Sequence, residues 1–527
     1  MRTFLFNIIK MKKLKLVSLA IAMACATPSF AGGLLTNTNQ HVAFNRMMSR
    51  EASIGIDGVY YNPAGVVFMG EGKHLAINWQ LAYQTRSIEN DYPLFTNNVN
   101  NPTTPREFKG KAFAPVIPSF QYAYNKGRWS LQAGFALTGG GGKCTFDDGL
   151  GSFEKIVAET ALAACQLAGA VDQVAAQYRV PAVFTKDDNF GTKGQYSYNS
   201  YMHGRQYYYG LSLGAAYKFS DNFSAFAGVR GVYASTNYYG YVENIKVGAM
   251  PLYMVLDPTK ETAANIELSC DQSGVGFTPI IGVDFKTGKW NFAAKYEFKT
   301  RIRLKNKSVN QAPSIGNLPD NLRNAYIAGG VPEAAADAII GNPVIQGAMG
   351  QLKTQFDAKL EEAIGEYEDG KKIAGDIPAY LALGVGYSPV NAVRVNVGFH
   401  WFDDKHATSY NNRQEKLDRG TLEYNAGIEV DVNKKITLST GWQNTNYGLS
   451  EEYMDDKSFV VSSNSAAIGG VYHINKKMDL NVAYFHTFYQ HKKTSEKVQL
   501  SANQSINYNS DYTRNNNVFA VGLDINF

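Results

Sequence analysis

The chain has 527 residues, and its formal charge of +5 arises within the first 31 residues, which hold five basic side chains and no acid. Without them, 46 basic residues balance 46 acidic ones, so a nucleic-acid partner has no electrostatic support. This length would ordinarily indicate several soluble domains, but one large membrane barrel with long loops also fits it.

The N-terminus has the features of a secretory signal peptide over residues 1–31. Basic residues precede an apolar run, and Ser29, Phe30 and Ala31 supply a small-x-small cleavage site. The apolar run is too short to span a bilayer. We therefore expect an exported protein whose mature chain begins at residue 32.

Residues 50–64, REASIGIDGVYYNPA, separate this leader from the first strand pattern. Asn62 and Pro63 start a turn, because proline fixes φ and disfavours helix in the residue before it. Glycines nearby let the backbone bend where side chains would clash. Such a segment forms no long regular element. A surface turn and a small plug inside a barrel are both compatible with it, and its place between leader and strands favours the plug.

From residue 74 onward, large apolar residues alternate with small or polar ones at period two, which is typical of strands with two different faces. A soluble sandwich gives the same alternation. Short links on one side and long insertions on the other favour an antiparallel transmembrane β-barrel of roughly 14 strands. The predicted strands cover residues 74–85, 113–124, 128–138, 200–219, 223–241, 274–285, 289–305, 377–388, 392–403, 420–431, 436–447, 459–473, 478–490 and 515–527.

Two long loops, residues 139–199 and 306–376, carry helical patterns. Their apolar faces predict either a structural cap over the barrel mouth or a groove that captures an apolar ligand. The domains predicted are thus a signal peptide over 1–31, a plug over 32–73 and a barrel over 74–527.

The plug segment resembles the N-terminal hatch of the FadL family of outer-membrane transporters, in which an acidic-small-small stretch runs into Asn-Pro-Ala. Arg50 stands where the family usually has glycine. The matching positions are Glu51, Ala52, Ile54, Asp57, Asn62, Pro63 and Ala64.

The resemblance implies passive outer-membrane transport of long-chain fatty acids or other hydrophobic molecules, collected at the loops and released sideways. In the family, release occurs through a gap at the distorted third strand, where this chain has Gly134 and four glycines at 139–142. The C-terminal Phe527 resembles the signal that barrel-assembly machinery recognises. The ligand and gating residues implied are Gly33, Leu34, Leu35, Asp57, Asn62, Pro63 and Ala64.

The predicted strand 289–305 carries a row of basic residues on one face. A charge that faces lipid at mid-membrane costs about 2–4 kcal/mol, so this row should face the lumen or rise above the membrane. Two interpretations stay open: a polar lining paired with Glu297, Glu423 and Glu429, or a site for a carboxylate headgroup. The candidate headgroup residues are Arg230, Lys299, Arg301, Arg303 and Arg394.

The remaining polar residues predict little chemistry. Cys144 and Cys165 flank one loop and either form a disulfide or stay free thiols. His400 is interpreted as a hydrated lumen residue. Asp57 should find a lumen Arg or Lys, or backbone amides, as its partner, because an unpaired buried carboxylate is costly. We expect no enzyme, no cofactor and no metal site, since no catalytic or metal-ligand spacing is found.

The expected partners are a hydrophobic ligand, outer-membrane lipid and the barrel-assembly machinery, with no nucleic acid, and the expected state is a monomer in the bacterial outer membrane. Two other functions stay open. One is a hydrophilic porin, and the other is a receptor or channel for another nutrient such as haem or aromatic compounds.

Overall fold

The computed structural model describes residues 35–36, 39–186, 190, 193–501 and 504–527. The predicted signal peptide, Gly33 and Leu34 lie outside these residues. Within them, neighbouring strands pair antiparallel around a closed fourteen-stranded barrel, as predicted. Closure is made by the first and last strands, which pair continuously from His74 opposite Asn526 to Asp91 opposite Asn509.

The strands are numbered here by their place in the wall, and three of them consist of two segments. They are β1 (Gly72–Asp91), β2 (Arg106–Lys126), β3 (Trp129–Phe146), β4 (Tyr196–Lys218), β5 (Phe223–Val247), β6 (Ile266–Thr287), β7 (Trp290–Glu297 and Arg303–Gln311), β8 (Lys372–Ala374 and Tyr380–Val390), β9 (Val393–Phe402), β10 (Thr421–Asn433), β11 (Ile436–Asn446), β12 (Ser463–Asn475), β13 (Met478–Tyr489 and Lys492–Ser501) and β14 (Gln504–Asn526). A two-residue strand, Met250–Pro251, adds to the end of β5.

The period-two pattern sorts residues to the two sides of this wall. Outward positions form an apolar belt in which Leu213, Phe277 and Ile468 are each more than half exposed, as lipid-facing residues are. Inward positions carry buried polar side chains such as Gln132, Arg230 and Glu423. Many strands run beyond their predicted ends on the loop side, where both faces are polar and the alternation is weak.

The basic row predicted on one strand is divided between the two faces. Lys295 and Glu297 point inward and are buried, whereas Arg301, Arg303 and Lys305 point outward. The reason is the interruption of β7 over residues 298–302, which adds a residue between two inward positions and inverts the alternation. The interruption of β8 over residues 375–379 inverts the alternation of β8 at the same level as that of β7. Leu304 and Ile373 therefore still face each other inside the barrel.

The long connections hold the helices. They are α2 (Gly151–Gln177), α3 (Tyr253–Leu256), α4 (Leu318–Ala328), α5 (Glu333–Ile340) and α6 (Pro343–Ile364), following α1 (Val42–Met47) near the N-terminus. The buried apolar side chains of α2 pack with those of α4, α5 and α6 over the barrel mouth. Within the described residues, none of these helices has the length and apolarity to cross a membrane.

Candidate functional site

The plug, residues 39–70, fills the lumen. It consists of α1 and two short 3-10 turns, Ile56–Val59 and Gly65–Met69. His41 begins α1, and its Nδ1 accepts the Ala43 N–H at 2.9 Å. Wall glycines allow the plug backbone to come close: a Cβ on Gly384 would lie 2.5 Å from Glu51 Cβ and 2.8 Å from Ala52 N. The plug and the wall therefore touch backbone to backbone.

A buried ion network joins the plug to β10. Arg50 donates to both carboxylate oxygens of Asp57, at 2.7 and 3.0 Å. Glu429 on β10 forms ion pairs with Arg46 and, at 3.3 Å, with Arg50. Asp57 was expected to pair with a lumen Arg or Lys or with backbone amides, and its partner is the buried Arg50, which the plug itself supplies. The residue that departs from the hatch pattern thus neutralises the carboxylate.

A second polar link crosses from the plug to β9 and β10. The Nε2 of His400 lies 2.7 Å from Glu51, and its Nδ1 lies 2.8 Å from Glu423. His400 is fully buried, so its interpretation as a hydrated lumen residue is wrong. Since Glu51 belongs to the plug and Glu423 to the wall, this histidine bridges the two.

The turn formed by Asn62, Pro63 and Ala64 is bound to three different strands. Asn62 Nδ2 donates to Asp284 on β6 at 2.6 Å. The carbonyl of Pro63 accepts from Gln132 on β3, and that of Ala64 accepts from Ser224 on β5, both at 2.7 Å. The turn therefore holds the plug against the wall on the β3 to β6 side.

The wall has a gap between β2 and β3. Their pairing stops after Ala112 opposite Cys144 and resumes at Ser119 opposite Ala136, leaving residues 113–118 and 137–143 unpaired with each other. Gly140 and Gly142 sit here at φ values of 95° and 76°, a region that favours glycine. We call these two unpaired stretches the wall gap.

Gln40 of the plug binds both rims of the wall gap. Its side chain donates to the Leu137 carbonyl on β3 at 2.8 Å. Its own carbonyl accepts from Ser119 and Gln121 on β2, at 2.6 and 2.8 Å. One residue of the plug is therefore hydrogen-bonded across the place where the wall is open.

A cavity of about 180 Å³ lies behind the wall gap. Two arginines that face each other across β1 and β14, Arg86 and Arg514, line it. Both reach Gln84 Oε1, at 3.2 and 2.7 Å, and Arg514 also contacts the rings of Phe459 and Tyr489. Among the described residues, neither arginine has a carboxylate partner, and Arg514 Nε is buried without a hydrogen bond.

Leu35, the first described residue, packs beside the plug in an apolar cluster that contains no residue of 39–70. It is buried against Tyr208, Ile302, Ile377 and Phe402 on the lumen side of β4 and of β7 to β9. Thr36, next to it, lines the cavity. The start of the described chain is thus close to the cavity.

The structure separates the five predicted headgroup residues. Arg230 makes two buried bonds with Glu297, at 2.6 and 3.0 Å, and Arg394 is paired with Glu429 and Asp431. Lys299, Arg301 and Arg303 lie at or beyond the inversion of β7, and Arg303 is paired with Asp376 at 2.7 Å. These five residues do not form one site. Arg230 and Arg394 instead belong to a polar lining in which basic residues are paired with acids, which was the alternative interpretation.

Cys144, Cys165 and Cys270 are free thiols. Cys144 lies on β3, between Ala112 of β2 and Gly204 of β4 in the sheet, and Cys165 in α2 donates to the Phe190 carbonyl. Both are buried and unpaired, so the structure contradicts a disulfide between them.

An apolar pocket of about 60 Å³ lies among the loop helices. It opens between α2, α3 and α4, with almost no polar surface. Residues on its wall include Ala163, Leu167, Val171, Leu252, Leu318 and Leu322. The same helices pack as one apolar cluster, so a structural cap and a groove for an apolar ligand both stay open for these loops.

No family model and no curated protein matches the chain. Solved structures do match. A Pseudomonas aeruginosa FadL homologue aligns over 94% of this chain and 100% of its own, with 13% identity and a TM-score of 0.58. A TodX deltaS2S3 mutant, a monoaromatic hydrocarbon channel, aligns over 92% and 98%, with 13% identity and a TM-score of 0.51. At such identities the likeness shows the fold alone.

Proposed function

We propose that this chain, a transmembrane barrel of the FadL type, resides in the bacterial outer membrane and carries long-chain fatty acids passively across it. Hydrophobic compound transport accords with what its structural neighbours are named for. The observation that supports a fatty acid as the ligand is the cavity behind the wall gap, where Arg86 and Arg514 oppose each other with no carboxylate partner among the described residues.

The two arginines favour an anionic headgroup. Like charges directly across a strand pair destabilise the pair, and a carboxylate between them reverses the sign of that interaction. The rest of the cavity includes apolar side chains such as Ala114, Val116 and Phe485, which suit an acyl chain. An amphiphile with one carboxylate satisfies both parts.

The path proposed runs from the loops to the wall. The apolar pocket among α2, α3 and α4 collects the ligand, the cavity holds its headgroup, and the wall gap lets it leave sideways into lipid. Ala114, Val116, Leu137 and Gly142 belong both to the cavity lining and to the wall gap, so the two are continuous. The plug acts as the hatch, with Gln40 as its contact at the exit.

The other parts of the proposal follow from the same architecture. A cleaved leader exports the chain, and barrel-assembly machinery inserts it through the last strand, where Phe527 is 64% exposed at the end of the apolar face. The protein acts as a monomer without a cofactor and is a transporter, not an enzyme.

The test compares uptake of labelled oleate with uptake of oleyl alcohol, which has the same chain and no charge. Arg86→Gln with Arg514→Gln should reduce oleate uptake at least tenfold, since hydrogen bonds to charged groups contribute about 1.5–3 kcal/mol each, and leave the alcohol unchanged. Arg128→Gln, on the exposed turn before β3, is the matched control. Equal loss for both ligands would remove the headgroup role, and no loss for either would remove the site.

A channel for neutral aromatic compounds gives a different result. Its ligands gain nothing from two cations, so the double variant would transport toluene as well as the parent does and oleate would never be preferred. A hydrophilic porin would show large ion conductance with the plug in place. A haem receptor would shift the absorption spectrum of added haem on binding, which a spectral titration measures.

A further inference from the structure

The outward face of the wall carries a cluster of basic residues beside the inverted segments of β7 and β8. We call it the basic cluster; it is distinct from the lumen and contributes nothing to the path proposed above. Its members are Arg301, Arg303, Lys305, Lys307 and Lys372.

The basic cluster places like charges directly against each other. Lys305 of β7 stands opposite Lys372 of β8, and both side chains are exposed. Such a pair is destabilising in an isolated sheet. Within the described residues, no ion pair joins Arg301, Lys305, Lys307 or Lys372 to an acid.

Nearby acids do not cancel the charge. Asp376 is buried and takes up Arg303. Asp271 faces Lys307 across the sheet and offsets one further cation, while it also accepts from Asn237 Nδ2 at 2.9 Å. Lys371, beside the cluster, has Glu368 at 3.6 Å. A net positive surface is left.

The height of the basic cluster is fixed by strand register. Lys305 pairs with Ser273 of β6. Ser273 is the next outward position on the loop side of Val275 and Phe277, which form the top of the apolar belt on this strand. Those two side chains are 58% and 66% exposed. Lys305 and its partner Lys372 therefore stand just above the level at which acyl chains end.

Among the described residues of β11, β12 and β14, no such cluster stands at this height. The outward positions just above Trp442, Ile468 and Phe519 include Asn444, Asn464 and Asn517, which are neutral. Trp442 Nε1 and Asn444 both donate to Asn464, and Tyr484 donates to Asn517. At these positions the outward face is uncharged.

We propose that the basic cluster binds a phosphate-bearing lipid of the outward leaflet, with its acyl chains against Val275 and Phe277 and its phosphate between Lys305 and Lys372. A free anion would bind the cations but make no contact with the apolar side chains. A phosphorylated lipid would bind the cations through its phosphate and contact the apolar side chains through its acyl chains. Arg301 supplies a planar donor group that suits phosphate oxygens. This assignment rests on the proposed outer-membrane location but on no property of the fatty-acid path.

The test uses the full-length mature barrel in detergent, with bisphosphorylated lipid A as the probe and native mass spectrometry as the readout. Arg301→Gln, Lys305→Gln and Lys372→Gln together should weaken binding roughly 100-fold, since each basic residue near an anionic lipid surface contributes about a factor of five. Lys434→Gln, Lys435→Gln and Lys476→Gln, in exposed turns at the other end, should leave binding unchanged. Heat-modifiable gel mobility checks that both variants are folded.

Three results would overturn the proposal: equal lipid binding by both triple variants, equal binding of a lipid A lacking its phosphates, or displacement of the lipid by inorganic phosphate at the same phosphate concentration. The last would indicate a free-anion site. Oleate uptake by the first triple variant should be normal. A failed oleate test therefore leaves this assignment standing, and a failed lipid test leaves the uptake proposal standing.

Discussion

Gly384 offers the sharpest test of how tightly the plug is held. It lies on β8 at an inward position opposite Gly398, and Glu51 of the plug packs against this pair of glycines. Gly384→Ala would place a methyl group 2.5 Å from Glu51 Cβ, 2.8 Å from Ala52 N and 2.9 Å from the Glu51 carbonyl carbon. Two of these three atoms are backbone, so no side-chain rotation relieves the overlap.

The size of the effect follows from these distances. Carbon atoms in contact lie about 3.5–4.0 Å apart, so the plug must retreat by about 1 Å at Glu51. The Glu51 to His400 separation of 2.7 Å then exceeds the range of a hydrogen bond. Overpacking at about 1–3 kcal/mol and loss of a charge-assisted bond at about 1.5–3 kcal/mol together give about 2.5–6 kcal/mol, of which we take about 3 kcal/mol, near the lower end. That raises the population of displaced plug roughly a hundredfold.

Single-channel conductance in planar bilayers measures the displacement. We expect Gly384→Ala to open frequently, deletion of residues 32–73 to conduct continuously, and the parent barrel to stay closed. Gly231→Ala is the matched control, because a Cβ at this strand glycine meets its nearest atom at an ordinary 3.7 Å. If Gly384→Ala stays as closed as Gly231→Ala, the close contact between plug and wall does not hold the plug in place.

Four further outcomes are expected. Replacing Asn62, Pro63 and Ala64 together by glycine should leave heat-modifiable mobility intact, because the strands direct assembly, yet lower labelled oleate uptake in whole cells, and normal uptake would reduce this turn to a plain connection. Gln40→Ala should speed labelling of a cysteine placed at Val116 by a lipid-soluble maleimide, since it frees the rims of the wall gap, and an unchanged rate would show that Gln40 does not hold them. Burial raises the pKa of Asp404, in the loop after β9, from 3.8 to about 7. The stability that this group contributes is therefore complete below pH 4 and is lost as the pH rises through 7. Protease cleavage of that loop should rise from pH 5 to 8, and Asp404→Asn should abolish this pH dependence. Peptide mapping without reductant should recover Cys144 and Cys165 as free thiols, and a linked pair would contradict the structure.

Alternation along the chain was enough to predict the fourteen-stranded barrel, because a wall with lipid on one side and a polar lumen on the other leaves a period of two in every strand. It was not enough to locate Arg86 and Arg514. The predicted strands ended at residue 85 and began at residue 515, one position short of each arginine. Above the membrane both faces of a strand meet water or polar loops, so the alternation fades where these residues lie.

The inversion of β7 was equally invisible in the pattern. Ile302 and Leu304 continue the apolar positions of Trp290 and Phe292 by parity, yet they lie inside the barrel while the earlier residues face lipid. The cause is irregular backbone over residues 298–302, which no side-chain period reveals. The pairing of Asp57 with Arg50 was missed for another reason: a turn in the segment brings them together, and turn geometry does not follow from composition.

The wall gap has a kinetic consequence. It is present while the plug is docked, so a ligand that leaves the cavity does not have to break any strand pairing. The barrier to exit then consists of desorption from Arg86 and Arg514 and a local rearrangement at Gln40. It does not include breaking the backbone hydrogen bonds between two strands. Flux should therefore show a low activation enthalpy and fall as the acyl chain lengthens, in proportion to the apolar area withdrawn from the cavity.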